Sequence, residues 1–359
     1  MRQPSLCIDL DRIEHNTRTI VALCRGQGIE VAGVTKAVCG NPDVARAMLR
    51  GGVSAIADSR MENFHRLRRS QVAAPFLLLR VPPLSQVDEV VGNVDVSLNS
   101  ELTVLKALSG AAQRTGRTHD VVLMVDLGDL REGIWPDDLM PLARQAVRLP
   151  GIRIVGLGAN LACFAGVMPT AANMNRLVEL AMEMEQCCQL RLRWISGINS
   201  SGLNLLASGG MPKRINHARI GEAILLGRET THRKPWPETY QDAFKLQAEV
   251  IELKKKPSQP TGETCQDAFG RQPRFEDRGD RLRALLNIGR EDIDIDGITP
   301  DDPDLSIIGA SSGYLAVDVT DAAQGIRVGS ILSFSVNYSA LLAAMTSEYV
   351  KKRAFGRGG

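Results

Sequence analysis

The feature that most constrains the fold is an alternation of short apolar runs with longer amphipathic stretches, from about residue 5 to residue 226. Repetition of a strand-length run and a helix-length stretch is typical of parallel sheets, because parallel neighbours need a crossover connection. We predict eight strands in this region: Val31–Thr35, Ala55–Ala57, Phe76–Leu79, Val94–Leu98, Val121–Val125, Ile154–Leu157, Trp194–Ile198 and Ala218–Ile220. Helices are predicted between them at Asn41–Arg50, Met61–Arg69, Ser100–Thr115, Pro136–Arg148 and Ala171–Gln189.

Eight such units in one domain favour an α/β fold, a closed (β/α)8 TIM-type barrel over residues 1–227, although an open doubly wound sheet shares the local pattern. After Gly227 the chain becomes rich in Pro and charge and then strand-like, which predicts a C-terminal, mainly β domain over residues 228–359. Its predicted strands are Leu246–Leu253, Leu282–Ile288, Leu305–Ile308, Tyr314–Val319 and Ile331–Val336. The segment Lys256–Arg281 is predicted to be an irregular loop over or beside a neighbouring subunit.

Composition excludes several classes of protein. The 43 Lys and Arg against 41 Asp and Glu give a formal charge of +2, which does not support binding to nucleic acid or to an anionic membrane. No apolar run approaches the roughly 18 residues needed to span a bilayer, and no signal segment is recognised at the N-terminus. The seven cysteines form no Cys-x-x-Cys pair, which indicates reduced thiols and no metal site. We expect a cytoplasmic protein.

A single lysine, Lys36, ends the apolar run that begins at Val31. At the mouth of an apolar barrel, desolvation favours the neutral amine, which attacks aldehydes and forms a Schiff base. A surface lysine that happens to follow a strand is the alternative, and this segment alone leaves both interpretations open.

Small residues follow the last two predicted strands, in Trp194–Gly202 and Arg219–Ala223. Glycine and hydroxyl residues at such positions expose backbone N–H groups, and phosphate sites in barrels commonly follow the last two strands. Each segment alone could be an ordinary turn, but their joint position favours a phosphate site.

Several segments occur together in an order shared with one enzyme class: Val34–Pro42, Asp58–Asn63, Leu78–Pro82, Ser97–Glu101, Arg219–Thr230 and Phe275–Gly279. With them the chain resembles the alanine-racemase-like (fold type III) pyridoxal-phosphate enzymes over nearly its whole length, most narrowly the ornithine racemase branch. The resemblance implies a barrel followed by a β domain and pyridoxal 5'-phosphate as cofactor. It also implies a homodimer with shared active sites, in which the β domain of one subunit closes the barrel mouth of its partner.

The resemblance also implies roles for particular residues. Lys36 would carry the cofactor, Arg131 would lie near its phenolic oxygen and Arg219 would face its pyridine nitrogen. The phosphate would be bound by Ser200, by the backbone of Gly221 and Glu222, and by Tyr338. Asn160 stands where alanine racemase has a ring-contacting histidine. For each arginine the alternative is a surface salt bridge.

An arginine at the pyridine nitrogen has a chemical consequence. Guanidinium only donates hydrogen bonds, so it cannot stabilise a proton on the ring as a carboxylate would. The ring is then a weaker electron sink, and a carbanion at the substrate α-carbon is reprotonated quickly. Such a site suits racemisation better than transamination.

The chain departs from alanine racemases at the second acid or base. Arg290 stands where those enzymes carry a tyrosine from the partner subunit, and arginine is a poor proton shuttle. Two candidates remain. Tyr314 lies where ornithine racemases typically show an Asp-His pair, and it could instead be a core or lid aromatic residue. Cys163 is the second candidate, although we expect a structural role for it because free cysteines are commonly buried.

These observations predict an amino-acid racemase that interconverts L and D forms by removing and returning the α-proton, with Lys36 on one face and Tyr314 as catalytic partner. The predicted substrate is ornithine or another basic or small amino acid. Decarboxylation on the same scaffold is an alternative, disfavoured because no Cys-containing loop of the decarboxylase type lies near the C-terminus. A third hypothesis is a non-catalytic pyridoxal-phosphate carrier or sensor. The missing tyrosine favours this hypothesis, and the presence of a second domain disfavours it.

Overall fold

The computed structural model describes residues 3–322 and 325–357. The chain divides into two compact units, one formed by Leu10–Gln241 and the other by residues up to Asp9 together with Asp242–Arg357. The second unit contains the first strand, β1 (Ser5–Asp9). Among the described residues, no helix combines the length and apolar character that a membrane crossing requires.

The unit Leu10–Gln241 is a closed barrel of eight parallel strands. The strands are β2 (Glu30–Val34), β3 (Ala55–Asp58), β4 (Phe76–Leu78), β5 (Val96–Asn99), β6 (His119–Met124), β7 (Ile152–Gly158), β8 (Trp194–Ile198) and β9 (His217–Ile220). Each strand pairs with the next along the chain, and β9 pairs with β2, with Ile220 opposite Gly33. The predicted (β/α)8 barrel is therefore confirmed, and the pairing of β9 with β2 rules out an open sheet.

Helices alternate with the barrel strands along the chain. They are α1 (Leu10–Arg25), α2 (Pro42–Arg50), α3 (Met61–Arg69), α4 (Val87–Asn93), α5 (Leu102–Thr115), α6 (Pro136–Ala146), α7 (Ala171–Cys188), α8 (Leu203–Ala207) and α9 (Glu222–Leu226). Local signals determine their starts. Asn41 accepts hydrogen bonds from the backbone N–H groups of Asp43 and Val44, with Pro42 as the first helical residue, so α2 begins immediately after the Lys36 turn.

The barrel interior is filled by apolar side chains, including Ala32, Leu77, Val122 and Met124, because parallel strands are buried on both faces. Two histidines are buried among them. His119 Nε2 lies 2.8 Å from the Ser97 hydroxyl, and burial lowers the pKa of His119 to about 4. His217 Nδ1 lies 2.6 Å from the Ser196 hydroxyl, its ring stacks on Trp194, and burial lowers its pKa to about 3.

The other unit is built on an antiparallel sheet. Its remaining elements are β10 (Phe244–Pro257), β11 (Asp280–Leu286), β12 (Ile298–Pro300), β13 (Ser306–Ala310), β14 (Leu315–Asp318), β15 (Ile331–Val336), α10 (Tyr338–Thr346) and β16 (Lys351–Phe355). The strand order is β12-β15-β10-β11-β14-β13, and β1 pairs with both β10 and β16. The predicted mainly β region is confirmed, and β12, β16 and α10 are additions that the sequence pattern did not predict.

The N-terminal strand differs from its predicted place. Ser5–Asp9 was included in the barrel domain, residues 1–227, but it pairs antiparallel with β10 and parallel with β16. The sequence of a five-residue strand does not indicate which sheet it joins, because its partners are distant in sequence. The predicted boundary after Gly227 precedes the start of β10 by 17 residues and stays a prediction. Residues 258–279, between β10 and β11, form no helix or strand, as expected for an irregular loop.

The buried histidines predict acid sensitivity of the fold. A histidine whose folded pKa lies below its unfolded value of 6.5 contributes stability above that value, which is lost as the pH falls toward the folded pKa. Between pH 7.5 and pH 5.0 each should reduce the free energy of unfolding by roughly 2 kcal/mol. The His119→Gln variant should lose less than the parent by about that amount in urea titrations at the two pH values. The control is His232→Gln, at an exposed position, and its free energy of unfolding should fall as much as that of the parent.

Candidate active site

Lys36 opens a single 3-10 turn at the end of β2, and the neighbouring strand holds this turn in place. The buried Thr35 hydroxyl donates a hydrogen bond of 2.7 Å to Asp58, the last residue of β3. Asp58 also accepts a 2.8 Å bond from the side-chain amide of Asn63 in α3. The Lys36 side chain is exposed, so the expected desolvation by the barrel is not found in the described chain.

Three of the predicted phosphate residues, all in the barrel unit, come together beside the end of β2. The Ser200 hydroxyl accepts a 3.1 Å bond from the backbone N–H of Ala223, which leaves its own hydrogen for another acceptor. Among the described residues, no acceptor is found for the backbone N–H groups of Gly221 and Glu222. A Cβ at Gly221 would lie 3.1 Å from the Cβ of Val34, so glycine allows β9 to end this close to β2. Two N–H groups and a hydroxyl are suited to an anionic oxygen ligand.

The Glu222 side chain faces basic groups near the same point. Its carboxylate is mostly buried and forms an ion pair with Arg233. Burial raises the pKa of Glu222, and the positive charges of Arg233 and Lys36 oppose that rise. The Glu222 carboxylate therefore lies within electrostatic range of the Lys36 ammonium.

Arg219, on β9, is 4% exposed and is held by neutral acceptors. Its Nη1 donates to the backbone oxygen and the hydroxyl of Ser196, and its Nη2 donates 2.8 Å bonds to Ala159 O and Asn160 Oδ1. Burial lowers the pKa of Arg219 to about 10, so the group stays cationic at neutral pH. Its Nε–H has no acceptor among the described residues, which leaves this donor for a ligand. The surface-salt-bridge alternative for Arg219 is wrong, because the side chain is buried and no carboxylate contacts it within the described chain.

Arg131 follows β6 and forms an ion pair with the next residue, Glu132, through its Nε and through a 2.6 Å bond from Nη2. Burial raises the pKa of Glu132, but the hydrogen bonds and charge of Arg131, with a bond from Asn160, outweigh it and leave that pKa lowered. The Asn160 amide nitrogen donates a 2.5 Å bond to Glu132 Oε1. Arg131 is exposed and ion-paired, so for this residue the salt bridge expected as the alternative is present.

Asp129 joins the loop after β6 to the loop after β7. Its buried carboxylate accepts bonds from the backbone N–H groups of Cys163 (3.1 Å), Phe164 (2.8 Å) and Val167 (3.0 Å). The loop after β6 turns back toward its own start at Gly133. This glycine has φ +146°, and a Cβ there would lie 2.4 Å from Asp126 N. Only glycine permits this return, which keeps the loop beside its neighbour.

Cys163 lies in the second of these loops and is exposed, contrary to the expectation of a buried structural residue. Its Sγ is 3.6 Å from Asn199 Nδ2 and 3.3 Å from Leu161 O. It is also within electrostatic range of Arg131 and Arg219. The thiol is thus placed among the predicted cofactor residues of the barrel.

The predicted residues of the β unit lie on loops and at a helix start. Tyr314 is 52% exposed, between β13 and β14, so it is not a core aromatic. The backbone N–H of Arg290 donates to Ser311 O (3.0 Å), and a Cβ at Gly289 would lie 2.0 Å from Ser312 O. The loop carrying Arg290 therefore packs directly on the loop carrying Tyr314. Tyr338 is half-buried at the start of α10.

Glu132 and Asp129 were not among the predicted site residues. Both lie in the acidic loop that contains Arg131, and that proximity was the available signal. The sequence could not reveal that these carboxylate oxygens accept hydrogen bonds from residues 160–167, because those contacts join separate barrel loops.

The donor set of the barrel fits pyridoxal 5'-phosphate. An exposed lysine amine is suited to the aldehyde, and the N–H groups at Gly221 and Glu222 with the Ser200 hydroxyl are suited to the phosphate. The Nε–H of Arg219 is suited to a ring nitrogen that carries a lone pair. Arg131 is suited to an ionised phenolic oxygen.

Comparison with known proteins shows the family to which the chain belongs. Residues 8–229 match the family described as alanine racemase, N-terminal domain. The chain is 41% identical to an ornithine racemase of Acetoanaerobium sticklandii, over 97% of this chain and 99% of that protein. It is 37% identical to a lysine racemase of Thermotoga maritima, over 98% of both. The fold is similar to that of an alanine racemase from Streptomyces lavendulae, with a TM-score of 0.76 at 17% identity, over 99% of this chain and 98% of that one.

The Asp129 contacts predict that Asp129→Asn destabilises the protein more than Asp126→Asn does. In Asp129→Asn one oxygen becomes an NH2 group that faces backbone donors, which should lower the free energy of unfolding by about 1–3 kcal/mol. Amide hydrogen exchange at residues 163–167 should also become faster. Asp126→Asn is the matched control, because its two bonds, from Gly128 N and Leu130 N, both end on Oδ1, which an asparagine retains. Equal exchange rates in the two variants would contradict this role for Asp129.

Proposed function

This chain is an amino-acid racemase that belongs to the alanine racemase family, and we propose that ornithine is its substrate and pyridoxal 5'-phosphate, linked to Lys36, its cofactor. The observation that carries the proposal is the convergence of the Lys36 turn, the N–H groups at Gly221 and Glu222, and the Nε–H of Arg219 in one barrel unit. The names of the two full-length relatives support a basic substrate, with lysine as the second candidate.

When bound, the cofactor supplies a ring that withdraws electrons from the substrate α-carbon. Lys36 holds and moves the α-proton on one face of that carbon. Arg219 would bind the ring nitrogen as a hydrogen-bond donor, and its guanidinium would not stabilise a proton on that nitrogen. Four bonds to neutral acceptors keep its guanidinium in one orientation. A donor at this position would leave the ring a weaker electron sink, which would favour return of the proton to the α-carbon over transfer of the amino group.

A second group must exchange a proton on the opposite face, and we assign this role to Tyr314 of the partner subunit in a cytoplasmic homodimer with shared active sites. The exposure of Tyr314 and its place on the loop that packs against the Arg290 loop support this role. Cys163 is the alternative, supported by its exposure near Arg131 and Arg219. Tyr338 is the proposed contribution of the β unit to phosphate binding.

The proposed reaction predicts isotope exchange at the α-carbon. L-Ornithine incubated with the protein in deuterium oxide should gain deuterium at the α-carbon and lose optical rotation. Lys36→Ala should reduce both rates by at least about a thousandfold and remove the visible absorbance of the bound cofactor. Lys106→Ala, on the exposed face of α5, is the control and should match the parent. Absence of exchange with ornithine, lysine and small amino acids would exclude the proposed reaction.

The identity of the second group can be tested with two conservative variants. Tyr314→Phe should reduce kcat about 10²–10⁴-fold with the cofactor absorbance unchanged, because it removes only the proton-transferring hydroxyl. Cys163→Ser should lower kcat less than about tenfold, since a hydroxyl retains the polar contacts. A larger loss in Cys163→Ser than in Tyr314→Phe would reassign the role to Cys163.

Mixed dimers test whether the sites are shared. Lys36→Ala and Tyr314→Phe subunits, unfolded together and refolded, should recover roughly a quarter of parental activity, because half of the dimers are hybrids with one intact site. If each subunit supplied both residues to its own site, the mixture would stay inactive. Parent protein taken through the same refolding sets the reference.

A further inference from the structure

Glu132 is the only residue of the described chain shown to bond both Arg131 and Asn160. Its Oε1 accepts from Arg131 Nη2 at 2.6 Å and from Asn160 Nδ2 at 2.5 Å, and its Oε2 accepts from Arg131 Nε. Asn160 in turn accepts from Arg219 through its Oδ1 at 2.8 Å. A continuous chain of hydrogen bonds therefore runs from Arg131 through Glu132 and Asn160 to Arg219.

The Glu132 carboxylate determines which way the Asn160 amide points. A side-chain amide presents a donor at one end and an acceptor at the other, and the two ends have nearly the same shape. Glu132 accepts only, so it binds the NH2 end and turns the oxygen toward Arg219. The donor-only guanidinium of Arg219 selects the same orientation from the other end, so loss of the carboxylate at 132 removes one of the two bonds that orient the amide.

Glu132 also balances charge between the two arginines. The positive charge of Arg131 disfavours the cationic form of Arg219, and the negative charge of Glu132 favours it. Asp129, the nearest other carboxylate of this loop, is already bonded to three backbone N–H groups. With Glu132 ionised, the group formed by Arg131, Glu132 and Arg219 carries one net positive charge instead of two.

We propose that Glu132 is a positioning residue of the racemase, which orients Arg131 and the Asn160 amide and thereby sets the charge around the cofactor. The inference rests on the proposed function, because it assigns Arg131 and Arg219 to the cofactor. Glu132 does not contact the reacting atoms in this role. It acts through its two hydrogen-bonded neighbours.

The test is a spectroscopic titration of the Glu132→Gln protein loaded with pyridoxal phosphate. Glutamine has the same shape, removes the charge and places an NH2 group against Arg131 or Asn160. A nearby carboxylate stabilises protonated groups, so its loss should lower the pH midpoint of the visible cofactor absorbance by at least about half a unit. In the same protein kcat for ornithine should fall about tenfold or more, with KM changed less than about threefold.

Asp120→Asn is the matched control, because Asp120 also pairs with an arginine, Arg153, through two 2.7 Å bonds, but near the start of β6. It should keep the parental midpoint and kcat. A double-mutant cycle with Asn160→Ala separates a positioning role from a general structural one. If Glu132 acts through Asn160, the Glu132→Gln change should have a clearly smaller effect on kcat in the Asn160→Ala background.

The outcomes distinguish this inference from the function on which it rests. If the parent protein neither binds the cofactor at Lys36 nor racemises ornithine or lysine, the proposed function fails. If the parent is active but Glu132→Gln titrates and turns over like Asp120→Asn, the role of Glu132 is overturned and the proposed function stands. Strictly additive effects in the cycle would also overturn the coupling through Asn160.

Discussion

Pairing of the first and last barrel strands is the constraint on which the site depends. Ile220 of β9 lies opposite Gly33 of β2, so the residues that follow each strand meet at one edge of the barrel. Lys36 and the pair Gly221–Glu222 become neighbours although about 185 residues separate them in sequence. The contact is close enough that a side chain at Gly221 would press on Val34. An open sheet with the same local pattern would leave these two ends apart.

Charge in the barrel is arranged around a buried cation without a buried carboxylate partner. Taking a charge out of water is costly unless hydrogen bonds replace the lost solvation. For Arg219 this replacement comes from the Ser196, Ala159 and Asn160 oxygens, and a lowered but still high pKa is the result. His217, two residues earlier in β9, is neutral because burial lowers its pKa, so it does not add a second positive charge. The barrel therefore holds one buried cation in a fixed orientation without a second positive charge on this histidine.

In the loops at this end of the barrel, some residues hold the loops together and others are candidate site residues. Asp129 and Gly133 hold the loop after β6 against the loop after β7, and neither needs to touch a ligand. Arg131, Glu132, Asn160 and Cys163 are carried by the two loops so held. Rigid strands with polar loops at their C-terminal ends are the usual means by which a barrel combines stability with a reactive site.

The eight strands, the predicted helices and the change to a β region after Gly227 followed from the sequence, because burial on both faces imposes apolar runs and amphipathic helices leave a periodic pattern. Lys36, Ser200 and Gly221 could be named as candidate site residues because each follows a strand, where barrel chemistry concentrates, whereas Arg219 lies within β9 and was named through the family resemblance. The sheet to which Ser5–Asp9 belongs, the exposure of Cys163 and the bonds from Glu132 to Asn160 were decided only in three dimensions. Each depends on a partner distant in sequence, and local composition does not encode the choice among distant partners of similar chemistry.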